Sequence, residues 1–205
     1  MPAKAIVTIG SNTKPYEAQN FEHLIGMKGF SEKLLKTHFK LYEGYVTNTN
    51  TLNQKLRDLL TQDKEKSPEF DEMRRRFGWE FNGMRLHEYY FGNMGGKTPL
   101  APDSRLAESL AASFGDFDAW QRDFTATGAM RGIGWVISYQ DPTDGRLLNV
   151  WIDEHNTNHL AGAQPILVMD VFEHAFITDY GLDKAGYIKA FFQNINWETV
   201  ASRLQ

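Results

Sequence analysis

The sequence predicts an α+β fold: a long antiparallel helical hairpin in the N-terminal half, followed by an α+β part with a three-stranded antiparallel sheet. Three observations point there. Apolar residues recur at helical spacing in two long blocks joined by a short charged turn. Two prolines within four residues, Pro99 and Pro102, then break the pattern, and beyond them apolar runs of strand length alternate with turn residues.

From Ser31 to Thr61 the recurring positions are Leu34/Leu35, His38, Leu41/Tyr42, Tyr45, Thr49, Leu52, Leu56 and Leu59, the three-and-four steps of one helical face. After the charged turn Asp63 to Lys66, Ser67 is placed as an N-cap with Pro68 at the first helical position. The second stripe runs Phe70, Met73, Phe77, Phe81 or Glu80, Met84, His87, Phe91 and Met94, and the helix is expected to stop at Gly95-Gly96, where left-handed backbone is easy. Thr98 to Pro102 reads as a connector, dividing the chain into residues 1–97 and 98–205. Beyond it, Ser104 to Phe114 and Phe117 to Met130 read as short helices. Gly132 to Tyr139 and Arg146 to Ile152 read as a hairpin about Asp141-Pro142-Thr143-Asp144-Gly145, and Pro165 to Met169 as a third strand. Lys184 to Phe192 and Asn194 to Leu204 close the fold as helices.

Composition narrows the chemistry. With 41% hydrophobic and 13% aromatic residues among 205, a buried core is expected. Lys and Arg total 22 against 26 Asp and Glu, a net charge of -4, so no basic excess exists to neutralise nucleic acid. No cysteine is present, which removes disulfides, thiolate metal sites and cysteine nucleophiles. The early apolar run Ala5 to Gly10 is too short for a secretory signal, and no segment approaches the roughly 20 apolar residues that span a bilayer. A soluble, cytoplasmic protein with no membrane partner is expected.

Six histidines are present: His23, His38, His87, His155, His159 and His174. His38 and His87 interrupt the apolar stripes of the two helices, where an unpartnered imidazole costs about 1–3 kcal/mol. Either is an ordinary core histidine bonded to a carbonyl or a tyrosine, or a ligand. Asp170-Val171-Phe172-Glu173-His174 follows the third apolar strand, so a helix starting there would point Asp170 and His174 the same way. Surface charge and capping are the common explanation of that spacing. Taken with the two buried helical histidines, it gives three imidazoles and one carboxylate, a set suited to iron, manganese or zinc. His87-Glu88 opens like the His-Glu-x-x-His zinc helix, but Phe91 stands where the second histidine belongs. The paired Glu and Glu-x-x-His repeats of a di-iron bundle, the GxGxxG fingerprint and the P-loop are all missing.

These residues resemble the iron/manganese superoxide dismutase family. The resemblance is carried by Thr37-His38 through Tyr45-Val46-Thr47-Asn48, by Phe81-Asn82-Gly83 leading to His87-Glu88-Tyr89-Tyr90-Phe91, and by Gly132-Ile133-Gly134-Trp135. Above all it is carried by Asp170-Val171-Phe172-Glu173-His174-Ala175-Phe176, with Tyr187 to Phe192 and Asn194-Ile195-Asn196-Trp197 closing the pattern. It implies one metal ion per subunit, held by His38, His87, Asp170, His174 and a solvent molecule, with superoxide as substrate. It also implies Tyr45 as a gateway residue, Trp135 as a wall of the metal pocket, and a homodimer or tetramer associating through Glu173 and Tyr187. A hydrogen-bond donor to the bound solvent is implied at one of two places; Gly83 cannot supply it, and His155 resembles a histidine variant that goes with iron, so iron is favoured and manganese is the alternative.

The chain departs from the family's pattern in a few places. Eight residues usually separate the first ligand from the gateway tyrosine, but His38 and Tyr45 are seven apart, about 700° of helix, which leaves the two side chains within roughly 20°. The π-bulge that would house the extra residue is therefore expected to be absent. A second histidine of that helix falls here on Leu41 or Tyr42, Ile137 and Phe91 replace pocket tryptophans, and Lys184 replaces an arginine at a basic funnel position. A weak or inactive relative serving as a metal-binding or structural protein is the alternative these changes leave.

Overall fold

The computed structural model describes residues 14–205, so the run Ala5 to Gly10 lies outside the described residues. Helix α1 (Glu32–Thr61) starts where Ser31 Oγ accepts the Leu34 amide, 3.1 Å away, and α2 (Pro68–Gly92) where Ser67 Oγ accepts the Phe70 amide at the same distance. The two pack against each other as the expected hairpin. Helix α1 is α-helical from end to end, so seven residues carry it from His38 to Tyr45 without a bulge. Leu41, expected in the stripe, instead faces outward at 36% exposure.

Helix α2 stops at Gly92, earlier than the glycine pair suggests. The stop is made by Asn93, fully buried, whose Nδ2 donates to Tyr90 O and Val168 O and whose Oδ1 accepts the Val168 amide. Gly96 then lets the chain run against the C-terminal segment, since a Cβ there would lie 2.2 Å from Ile195 O.

Helices α3 (Arg105–Phe114) and α4 (Phe117–Ala129) follow, capped by Ser104 and Asp116. The sheet has the order β2-β1-β3, all antiparallel, from β1 (Trp135–Gln140), β2 (Leu147–Ile152) and β3 (Gln164–Asp170). Central strand β1 is buried at every residue and begins three residues later than expected, because Gly132 and Gly134 adopt φ of 139° and 117°, which is not strand backbone. Its register sets Trp135 opposite both Asp170 and Ile152.

After β3 the chain does not enter an α-helix at Asp170. It makes a 3₁₀ turn over Glu173–Ala175, then α5 (Ile177–Tyr180), α6 (Lys184–Gln193) and α7 (Trp197–Ser202). Arg203 ties this end to the rest: Nη1 donates to Ile166 O (2.8 Å) and Asn93 Oδ1 (3.1 Å), and Nη2 to Tyr89 O (3.2 Å). Among the described residues, no helix is long and apolar enough to cross a membrane.

Candidate metal centre

The hairpin and the sheet meet at four side chains. His38 on α1, His87 on α2, Asp170 at the end of β3 and His174 in the 3₁₀ turn each point one ligand atom into a common space, with those atoms all within 4.8 Å of one another. Asp170 Oδ2 is central, 3.2 Å from His38 Nε2, 3.1 Å from His174 Nε2 and 3.7 Å from His87 Nε2. The side chains of His38, His87 and Asp170 are fully buried, and that of His174 is 28% exposed.

The protonation of the set follows from its surroundings. Burial pushes the pKa of His87 well below, and that of His38 below, the ordinary imidazole value. Burial opposes ionisation of Asp170, but the His174 and His38 imidazoles outweigh it and hold the carboxyl well below the usual carboxylate range. His87 Nδ1 lies 2.6 Å from Gly83 O, which can only accept, so Nδ1 carries the proton and Nε2 presents its lone pair. The atoms His38 Nε2 and His87 Nε2 are buried without any hydrogen-bond partner on the protein. Buried polar atoms are rarely left in that state, and neutral imidazoles with an ionised carboxylate are what a divalent or trivalent first-row ion requires. The residues fit an iron or manganese ion.

Comparison with known proteins agrees with this geometry. Residues 102–203 match the family model described as iron/manganese superoxide dismutases, C-terminal domain. An iron superoxide dismutase of Cupriavidus metallidurans is 37% identical over 182 residues, covering 86% of this chain and 89% of that protein. The chain belongs to the iron/manganese superoxide dismutase family. Further members are similar over comparable spans: an iron enzyme of Aquifex pyrophilus, 35% identical over 87% of this chain and 86% of its own, and a manganese enzyme of Haloferax volcanii, 31% identical over 93% and 92%.

The other residues singled out for this dismutase-family chain fall around the four. Tyr45 is stacked on His87, with ring centroids 5.2 Å apart. His155 is fully buried rather than an exposed turn residue; its Nδ1 accepts from Trp135 Nε1 at 3.0 Å and its Nε2 lies 2.8 Å from the Tyr45 hydroxyl. The hydrogen bonds of His155 thus go to Trp135 and Tyr45, and it is the ring of Tyr45 that lies against His87 of the cluster. Trp135 packs edge-on against His87, and Phe91 against His38, as walls of the cluster. Ile137 is buried within β1, one strand position pair away from Trp135. Lys184 donates to Met130 O at 2.9 Å.

Tyr187 has a role within its own chain. It has no exposed surface; its hydroxyl donates to Asp170 O at 2.5 Å and approaches that of Tyr90 at 3.1 Å. Tyr187 thereby braces the backbone of Asp170. Glu80, placed in the stripe as the alternative to Phe81 but given no role, is 3% exposed and binds Arg76 (2.8 Å) and Asn48 (3.3 Å); Trp79, which sequence reasoning missed, packs against both Tyr45 and His155 under the Arg76 guanidinium. A carboxylate inside an apolar stripe was the available signal for Glu80.

Gly83 is fixed by this packing. A Cβ there would sit 2.6, 2.8 and 3.0 Å from three atoms of the Tyr45 ring. Gly83→Ala is expected to lose about 1–2 kcal/mol, because overpacking of about 1–3 kcal/mol outweighs a helix-propensity gain of up to about 1. Denaturant unfolding of the metal-free variant measures this; a variant as stable as wild type would show that the ring has room to move.

Proposed function

We propose that this chain is a superoxide dismutase carrying one iron ion, with manganese the alternative, on His38, His87, Asp170 and His174. The observation that carries the reading is the convergence of those four side chains, three of them fully buried, with two ligand atoms, His38 Nε2 and His87 Nε2, that the protein itself leaves without a hydrogen bond. When bound, the ion would supply one-electron cycling between its two-plus and three-plus states, so that one superoxide loses an electron to become dioxygen and the next gains one, with two protons, to become hydrogen peroxide.

The protein's part is to hold charge and hand over protons. With the ion bound, the Asp170 carboxylate would supply the negative charge that favours the higher oxidation state, while the imidazoles of His38, His87 and His174 would keep the lower one accessible. An indole N–H can only donate, so Trp135 makes His155 Nδ1 the acceptor. Burial lowers the pKa of His155 to about 4, so the ring is neutral and Nε2 carries its single proton, which it donates to the Tyr45 oxygen. The hydroxyl proton of Tyr45 is thereby left for a third partner. Burial also raises the Tyr45 pKa, so that proton is retained until something more basic draws it. The order Trp135, His155, Tyr45 gives a polarised line of donors ending at the Tyr45 hydroxyl, beside the His87 ring.

An open depression lined by Lys36, Thr37, His38, Lys40, Leu41 and His174 would give a small anion a route to the partly exposed His174 and the buried His38 behind it. Glu173 is exposed beside His174, which supports it as the contact through which two copies would associate. A division of the chain at 97/98, between the hairpin and the α+β part, belongs to the same proposal.

The test is metal content with superoxide turnover measured by pulse radiolysis. One iron or manganese per chain and metal-dependent turnover are expected, with His87→Ala at the level of metal-free protein. Stoichiometric metal with wild type and variant equally inert would overturn the reading and leave a metal-binding relative without the activity. Sedimentation of the loaded protein, with Glu173→Ala as the weakened variant, checks the association.

A further inference from the structure

Four residues past His155, the half-buried His159 has both ring nitrogens engaged. Its Nε2 lies 2.8 Å from the His155 carbonyl oxygen and its Nδ1 2.7 Å from the Tyr139 hydroxyl. A carbonyl only accepts, so Nε2 carries the proton, Nδ1 is the acceptor, and Tyr139 donates to it. Tyr139 is itself immobile, 2% exposed on the central strand. The His159 ring is therefore a rigid strut between the sheet and one peptide group, that of His155.

That peptide needs a strut. Glu154 and Asn158 both adopt φ of 61°, left-handed backbone that a non-glycine residue takes at a cost of about 1–2 kcal/mol. Such conformations persist only where their surroundings over-determine them. Trp79 Nε1 donates to Glu154 Oε2 at 3.2 Å, and Thr157 Oγ1 donates to Asp153 O, but these hold the flanks of the loop. His159 holds the backbone of His155. The His155 ring must meet two fixed points at once, Trp135 Nε1 and the Tyr45 hydroxyl, so a small rotation of its peptide would break one of the two bonds.

We propose that His159, anchored by Tyr139, is a positioning residue: it fixes the His155 peptide so that the ring keeps both hydrogen bonds, and so decides which way the Tyr45 proton is offered. The kinetic consequence rests on the dismutase reading; the structural claim does not.

The experiment is nitrogen NMR of the histidine rings in the metal-free protein, with turnover and reduction potential of the iron-loaded protein beside it. In wild type, His155 is expected to show an unprotonated Nδ1 and a protonated Nε2. In His159→Ala these signals should move toward the average of a mixture of tautomers. Bound iron should be unchanged, since no ligand is touched, while turnover falls about tenfold and the potential shifts. His159→Gln, whose amide can donate to the same carbonyl, should restore the wild-type His155 signals and most of the turnover. Tyr139→Phe, which keeps the packing and removes the anchor, should give an intermediate result and carries the test if His159→Ala fails to fold. A lowered melting temperature with wild-type His155 signals and turnover would overturn the proposal, leaving His159 a purely structural brace. An inert wild type would overturn the dismutase reading instead, and the ring signals would still decide the positioning claim.

Discussion

Asp170→Ala is expected to abolish metal retention and, with it, superoxide turnover. The substitution removes the one anionic member of the cluster, whose Oδ2 stands within 3.1–3.7 Å of all three imidazoles. Loss of an outer partner of a metal ligand already costs 10–100-fold in affinity, so loss of this ligand should cost at least about 100-fold. Asp170 Oδ1 also accepts the Phe172 amide at 2.9 Å, which starts the turn that delivers His174. Asp170→Asn separates the two roles, because an amide oxygen can still accept that bond while carrying no charge. It should melt like wild type in the metal-free state and still fail in turnover. Elemental analysis after equal exposure to iron, followed by pulse radiolysis, gives the measurement; an Ala variant keeping one ion per chain and a tenth of the turnover would remove Asp170 from the centre.

Gly134→Ala is expected to be the most destabilising small substitution near the site. The residue sits at φ 117°, and a Cβ would lie 1.9 Å from Ile152 O and 3.0 Å from its carbonyl carbon. Backbone strain of about 1–3 kcal/mol adds to overpacking of about 1–3 kcal/mol, so roughly 4 kcal/mol is expected, or about 10 °C in melting temperature for a chain of this size. The site should suffer as well, because Gly134 O accepts the Val171 amide at 2.9 Å and Trp135 follows directly. Calorimetry of the metal-free protein decides it, and a change under 1 °C would mean that the strand end relaxes freely.

The helices and the clustering of three histidines with Asp170 were legible in the sequence for physical reasons that act locally. Ser31 and Ser67 satisfy the first amides of their own helices, and the stripes of α1 and α2 repeat at the period of the backbone. Histidine in such a stripe is conspicuous because burying it demands a partner. What was not legible depends on residues distant in the chain. Helix α2 ends where Asn93 meets Val168 on β3, a tertiary bond that no local glycine announces. Tyr187 is buried because Asp170 O and Tyr90 lie above it, and its own neighbours in sequence do not say so. The left-handed Glu154 carries no glycine to mark it, so the turn that carries His155 into the core is not announced by its own residues.

The four donors are contributed by residues 38, 87, 170 and 174, two from the hairpin and two from the far end of the sheet. A chain emerging from the ribosome owns only the first pair until β3 and the turn after it have been made and docked. An ion held by all four would therefore be captured late, by a nearly finished cavity rather than by an open chain.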